Sequence, residues 1–201
     1  MKRYVALDGV DGSGKDTQAV LLVDRLRAEG IDVHVAREPD EANPVGVLLR
    51  SLLQSGRHAE SHAALFVADR LASSPLRRRV LDAGRTIVQV RSLLSTLVYQ
   101  SRRWPREQLL RMHDGLDLVP DVIVVPVVPV EAAQGHIGAR GTPLEVYETG
   151  GWLAETRAKY RETEPVLRLG AKYDVLVPVV IVDGTGTAEE VHARVWEVVC
   201  G

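Results

Sequence analysis

The chain has 201 residues, with 25 Lys and Arg against 27 Asp and Glu, for a formal net charge of −2. Hydrophobic residues make up 45% and charged residues 26%, the balance of one globular domain over residues 1–201 able to bury a core. Near-neutral charge argues against a nucleic-acid binder run by bulk electrostatics, and the lone cysteine, Cys200, excludes an intrachain disulfide.

The first residues, Met1 to Asp8, are basic but too short in apolar length for a secretory signal, and no run reaches the roughly 18 apolar residues of a membrane span. A cytoplasmic protein with no membrane or nucleic-acid partner is expected. An apolar run at Tyr4–Leu7 predicts the first strand. A helix follows over Gly14–Glu29, with Gly30 placed to stop it. Ile31–Ala36 predicts the second strand, and helices are expected over Val45–Leu53 and Ser61–Ala72. The run Arg77-Arg78-Arg79 reads as a solvated helix face. Gly84 precedes a third strand, Thr86–Val90, followed by helices Leu93–Arg103 and Glu107–Gly115. Val122–Val128 predicts the fourth strand, which Pro126 and Pro129 are expected to end, since proline cannot donate to a central ladder. Helices over Glu131–Ala139 and Thr149–Leu169, a fifth strand at Val177–Val182 and a helix over Ala188–Val199 complete the series. The strands are continuously apolar rather than alternating, as when both faces are covered. Alternation of this kind predicts a three-layer α/β fold, a central five-stranded parallel sheet flanked by helices.

Between the first strand and first helix, Gly9-Val10-Asp11-Gly12-Ser13-Gly14-Lys15 fits G-x4-G-K. Glycines there let backbone N–H groups turn toward phosphate oxygens, the helix N-terminus adds positive potential, and a lysine reaches the outer phosphates. The next residue is Asp16 instead of the usual Ser or Thr, and Thr17, one position on, points about 100° away. Asp16 either coordinates Mg²⁺ directly or faces solvent as a first-turn acidic residue favoured by the helix dipole. The sequence leaves both open.

From this loop almost to its end the chain resembles the thymidylate kinase family. The stretch from Asp8 to Gln18 is similar to the family's opening loop. Arg37-Glu38-Pro39 matches its R-E-P motif, Leu65-Phe66-Val67-Ala68-Asp69-Arg70 its L-F-x-A-D-R helix, and Ser95-Thr96-Leu97-Val98-Tyr99-Gln100 its S-x-x-x-Y-Q segment. Pro120-Asp121 precedes the fourth strand, as in the family. The resemblance implies a P-loop NTPase fold, transfer of the γ-phosphoryl group of ATP to dTMP with Mg²⁺, and a homodimer. It assigns ATP to Gly9, Val10, Asp11, Gly12, Ser13, Gly14, Lys15, Asp16 and Thr17. Asp11 would also accept the acceptor's sugar hydroxyl. Phe66 would stack on the base, and Arg70 would meet its carbonyl edge. Arg37, Arg50 and Arg91 would hold the acceptor phosphate, with Glu38, Pro39, Ser95, Tyr99 and Gln100 beside them. Lys15, Arg91 and Arg140 would carry catalysis, and Asp8 and Asp16 are the candidates for Mg²⁺.

Elementary chemistry supports these residue types, because phosphoryl transfer is mainly positioning and neutralisation of oxygen charge, and a flat base favours an aromatic face. Phe66, the only Phe, equally fits a plain core position. Net charge near zero is then charge sorted within the chain, with basic residues converging on a cleft and acidic ones elsewhere.

Three departures cluster around the expected metal. Val90-Arg91-Ser92 stands where the family has D-R-Y or D-R-H, Val125-Pro126 stands for its L-D, and Asp16 for its hydroxyl. The lid segment, about 134–150, has His136 in place of an arginine and keeps Arg140. These changes set two alternatives beside dTMP phosphorylation: a non-standard acceptor, such as a modified nucleotide or a specialised-pathway phosphate, or nucleotide binding with impaired catalysis.

Overall fold

A computed structural model of the protein describes residues 1, 3–116, 118–139, 150–169 and 175–201. Its strands are β1 (Tyr4–Leu7), β2 (Val33–Arg37), β3 (Thr86–Val90), β4 (Val122–Val127), β5 (Val166–Leu169) and β6 (Val175–Asp183). They form one sheet in the order β2-β3-β1-β4-β6-β5. The first five of that order run parallel: Leu7 lies beside Val90 on one side and Val124 on the other, and Ile123 lies beside Val179. The helices are α1 (Lys15–Ala28), α2 (Pro44–Ser55), α3 (His62–Asp82), α4 (Leu93–Tyr99), α5 (Arg106–Met112), α6 (Val130–Ala139), α7 (Gly150–Arg161) and α8 (Ala188–Cys200).

The continuous apolar runs are explained by their two faces. Val5, Leu7, Val88, Val90, Val122 and Val124 pack with Leu22 and Val23 of α1 and Val195 of α8. Ala6, Ile123, Val125, Val177 and Val179 pack on the other side with Leu94 and Leu97 of α4, Leu109 of α5, Ile137 of α6 and Leu153 of α7. Each fully buried Val, Leu or Ile contributes roughly 1.5–3 kcal/mol, so the sheet is clamped between two helix layers. Local signals set several boundaries. Asn43 caps α2 by accepting from the Gly46 amide at 3.0 Å, Pro44 opens it, and Thr187 with Glu190 forms a capping box on α8.

The sequence reading needs three corrections. The expected helix over Thr149–Leu169 ends at Arg161, and Val166–Leu169 is instead a sixth strand, antiparallel to β6 with Leu167 beside Val177. Its alternation, with Leu167 and Leu169 buried and Arg168 exposed, is that of an edge strand. Pro126 does not end β4. The Val124 carbonyl faces β1 and accepts from the Asp8 amide, so the ring two residues on faces the same way, beyond the end of β1, where no ladder donor is needed. Lastly, α3 continues past Ala72 to Asp82, with Pro75 on its exposed side, and this buries Arg77 while Arg78 and Arg79 stay exposed. The arginine run is therefore not uniformly a solvated face.

From β1 the chain crosses outward to β2, returns through β3, and then passes to the other side at β4. That reversal beside β1 leaves a crevice at the carboxyl ends of β1, β3 and β4, the usual ligand position in an open α/β sheet.

Candidate active site

The loop from Gly9 to Gly14 fills one side of this crevice. Gly14 takes φ +85° at the N-cap of α1, a left-handed conformation that costs a side chain strain. Gly12 has φ +78°, and a Cβ there would stand 2.2 Å from the Ala133 carbonyl oxygen of α6. Lys15 is buried, and its Nζ lies 3.2 Å from Asp11 Oδ1 and 3.3 Å from Asp16 Oδ2. A cleft of ≈ 980 Å³ opens over the loop, lined by residues 12–18 together with His136 and Ala139 of α6 and by Gly184, Gly186, Thr187, Ala188 and Val191. His136 Nδ1 donates to the Gly12 carbonyl at 2.8 Å.

A second pocket, of ≈ 500 Å³, is lined by Asp11, Pro39, Arg50, Leu53, Phe66, Arg91, Ser95, Tyr99 and Gln100. Eight of these nine residues were picked out from sequence for the acceptor; Leu53 is the addition. Arg91 has φ +67°, a strained conformation for a residue with a side chain, and its guanidinium pairs with Asp11 while lying over the Tyr99 ring, 5.3 Å from the centroid. Burial alone would raise the Asp11 carboxyl, but Arg91 and Lys15 outweigh it and hold the group well below the usual carboxylate range. Burial, reinforced by the nearby Asp11 charge, pushes the Tyr99 hydroxyl upward.

Behind Phe66 lies a buried polar network. Glu38 accepts from Arg70 Nε at 2.9 and 3.0 Å, from Arg70 Nη2 at 2.6 Å and from Gln89 Nε2 at 2.9 Å, with Arg77 Nη1 at 3.5 Å. Arg70 also donates to the Ser92 carbonyl and Thr96 hydroxyl, each at 2.9 Å, and to His113 Nε2 at 2.8 Å. His113 Nδ1 donates to the Leu109 carbonyl, which fixes the neutral tautomer; burial and the Arg70 charge depress its imidazole to about 3. Arg70 and Glu38 thus lie beneath the pocket wall, engaged with each other, while the next residue, Pro39, faces the pocket. Arg37 is exposed and pairs with Asp16 at 2.6 Å, and Arg50 pairs with Glu41 at 3.2 Å. Lys15, Arg50 and Arg91 line the two cavities while Arg37 and Arg70 line neither, and the acidic residues are not elsewhere: Asp11, Asp16, Glu38 and Glu41 stand among these cations. Arg140 and the lid beyond Ala139, up to residue 149, lie outside the described residues.

Asp8 and Asp16 differ sharply as metal ligands. Asp8 is fully buried, and its Oδ1 accepts from Ser95 Oγ at 2.6 Å, Tyr160 at 2.5 Å and the Gly9 amide at 3.0 Å. Its Oδ2 accepts from Ser92 Oγ at 2.7 Å and the Ser95 amide at 3.2 Å. Asp16 has a half-exposed carboxylate on the ≈ 980 Å³ cleft, lowered because Lys15 and Arg37 outweigh the effect of burial. Among the described residues no cluster of three or more His, Cys, Asp or Glu is arranged around a metal. One carboxylate beside a glycine loop and a buried lysine fits Mg²⁺, which keeps much of its water and takes its other ligands from phosphates.

Val90, which stands for the family's aspartate, is buried in the apolar cluster with Leu7, Val88 and Val124. Ser92 caps α4 and braces Asp8. Sequence reasoning missed Tyr160, Gln89, His113 and the buried Arg77. Their partners lie between 39 and 152 positions away, and no local motif marks them.

A family model for thymidylate kinase matches residues 7–194. The chain is 32% identical over 202 residues to the thymidylate kinase of Rhodopirellula baltica, covering 94% of this chain and 76% of that one. It is 36% identical over 166 residues to a probable thymidylate kinase of Methanothermobacter thermautotrophicus, covering 79% of each. A solved structure of thymidylate kinase from Candida albicans shares the fold, with a TM-score of 0.76 at 23% identity over 98% of this chain and 91% of that chain. The chain therefore belongs to the thymidylate kinase family, whose reaction is the ATP-dependent phosphorylation of dTMP to dTDP.

Proposed function

We propose that ATP occupies the ≈ 980 Å³ cleft and dTMP the ≈ 500 Å³ pocket, with phosphoryl transfer across the Lys15–Asp11–Arg91 junction. The observation that carries this reading is the shared wall. Lys15 lines the first cavity, Asp11 and Arg91 line the second, and Asp11 Oδ1 is bonded to both cations. The two phosphate groups therefore meet where positive charge is already fixed. An oxygen of the acceptor phosphate attacks the γ-phosphorus, and the bond from that phosphorus to the β,γ-bridging oxygen breaks, leaving ADP. Charge spreads over the transferring oxygens, so Lys15 and Arg91 stabilise the transition state more than the ground state. Phosphate oxygens compete with the Asp11 and Asp16 carboxylates for these cations, and Arg37 and Arg50 extend the same field.

Phe66 offers its ring to the base, with Ser95, Tyr99 and Gln100 around the base and sugar. Arg70 and Glu38 act here as positioning residues, because their polar atoms are spent on each other beneath the pocket. Asp16 is the carboxylate that would hold Mg²⁺, which supplies charge neutralisation at the donor phosphates; Asp8 instead braces the end of β1. The chain is read as one domain working in the cytoplasm as a homodimer. Val47 and Leu48 of α2, Leu71 and Leu76 of α3 and Val35 of the edge strand β2 are exposed apolar side chains that a second copy could cover. The test is ADP release with ATP, Mg²⁺ and dTMP, run beside a panel of modified pyrimidine and sugar phosphates. Turnover selective for dTMP is expected. Folded, ATP-binding protein with no turnover on dTMP would overturn the proposal.

A further inference from the structure

Asp8 is offered more hydrogens than its oxygens have room for. A carboxylate presents about four lone-pair sites, about two on each oxygen. Two donors fill Oδ2, the Ser92 hydroxyl and the Ser95 amide. Three crowd on Oδ1: the Gly9 amide at 3.0 Å, the Ser95 hydroxyl at 2.6 Å and the Tyr160 hydroxyl at 2.5 Å. The surplus lies on Oδ1, and its three donors are not equivalent. The Gly9 amide is fixed in the backbone where the glycine loop begins. Tyr160 is 1% exposed, and among the described residues the only other partner of its hydroxyl is Ser95 Oγ at 3.2 Å. Its ring stands edge-on to Tyr99, with centroids 6.4 Å apart, and burial together with the Asp8 charge keeps its hydroxyl protonated. Ser95 alone of the three lines the ≈ 500 Å³ pocket, and its hydrogen is spent on Asp8.

We propose that Ser95 gives this hydrogen to the oxygen of the acceptor's sugar hydroxyl, and that Tyr160 is the positioning residue that releases it. The proposal rests on the assignment of the ≈ 500 Å³ pocket to dTMP. The hydroxyl is the best neutral acceptor on the sugar, and its own hydrogen goes to Asp11, which lines the same pocket. When the Ser95 hydroxyl rotates toward the ligand, Oδ1 keeps the Gly9 amide and the Tyr160 hydroxyl, one for each of its lone-pair sites. The bond to the ligand is then gained without leaving a buried carboxylate oxygen short of a partner. Without the Tyr160 hydroxyl, Oδ1 has two donors only while Ser95 stays on it. The sugar would then compete with a buried charge for one hydrogen, and bonds to a charged acceptor are the stronger ones. Tyr160 lines neither cavity, so it acts on the acceptor only through Asp8 and Ser95.

The test measures dissociation constants by calorimetry for dTMP, for its analogue lacking the sugar hydroxyl, ddTMP, and for the non-hydrolysable ATP analogue AMP-PNP. Wild type, Ser95→Ala, Tyr160→Phe and the double variant are compared. Ser95→Ala should weaken dTMP by roughly 3- to 10-fold, the worth of one hydrogen bond between neutral groups. Tyr160→Phe keeps the ring against Tyr99 and should weaken dTMP in the same direction. The double variant should bind dTMP no more weakly than Ser95→Ala, because one residue acts through the other. Neither ddTMP nor AMP-PNP should distinguish the four proteins. An unchanged dTMP constant in either single variant would overturn the proposal, as would losses that add in the double variant. An equal loss for ddTMP or AMP-PNP would also overturn it and make the cluster a brace of the fold only. Should Tyr160→Phe not fold, Ser95→Ala with dTMP and ddTMP decides by the same criteria. If wild type fails to bind dTMP, the acceptor assignment falls and this proposal with it.

Discussion

Glu38→Gln probes the buried network beneath the ≈ 500 Å³ pocket. Glu38 and Arg70 have side chains only 1% and 5% exposed, and Arg77 adds a second buried cation. The substitution keeps the shape of the side chain and removes its charge. Two guanidinium groups then face a neutral amide whose NH₂ is a donor, so at least one strong bond becomes a donor–donor contact. Removing one partner of a buried ion pair costs about 3–5 kcal/mol, because the remaining charge stays desolvated. For a protein of this size each kcal/mol moves the melting temperature by about 2–4 °C, which gives a fall of about 6–20 °C. Glu41→Gln is the control: its pair with Arg50 is partly solvated, with side chains 60% and 25% exposed, and should be worth less than about 1 kcal/mol. Scanning calorimetry of both variants beside wild type makes the comparison. A melting temperature for Glu38→Gln within about 2 °C of wild type would refute the reasoning.

Phe66→Ala should raise the Michaelis constant for dTMP by roughly 5- to 100-fold, the loss of one base–aromatic stack, with a smaller effect on that for ATP. An unchanged acceptor constant beside a large fall in melting temperature would make Phe66 a core residue only. His113 titrates from an ordinary 6.5 in the unfolded chain to about 3 in the fold, so between those values the unfolded state binds more protons. Stability should fall as pH drops from about 6.5 toward 3, by at most about 1.4 kcal/mol per pH unit from this group. Denaturant titrations should show a flatter acid limb for His113→Gln; identical slopes would count against the buried neutral imidazole. Gly12→Ala combines a left-handed φ of +78° with a Cβ 2.2 Å from the Ala133 oxygen, so α6 must shift off the loop. Binding of AMP-PNP should weaken by about tenfold or more, and wild-type affinity in calorimetry would contradict the close packing.

What could be read from the sequence was local. The run of apolar residues at Tyr4–Leu7, the glycine loop after it and the helix from Lys15 share one short segment, where periodicity and turn chemistry act between neighbours. Most of the ≈ 500 Å³ pocket's lining was legible for the same reason: Phe66, Arg91, Ser95, Tyr99 and Gln100 lie in short ordered motifs at the ends of strands and on helices the pattern had already located. The strand at Val166–Leu169 was not legible, because a four-residue run after Pro165 becomes a strand only when β6 supplies its ladder.

The polarity of individual side chains was decided by tertiary structure alone. Nothing local distinguishes Arg77 from Arg78, yet one is buried with Glu38 and the other exposed, because α3 runs on past Pro75 and turns that side of the helix inward. Nothing in the sequence near Asp8 shows that Tyr160, 152 positions later, and Ser92 bond its two carboxylate oxygens. The sequence by itself determined five of the six strands and the glycine loop between the first strand and the first helix, since those depend on neighbours along the chain. The tertiary structure decided which carboxylates and arginines remain available to a ligand, since that depends on partners brought together only when the layers pack.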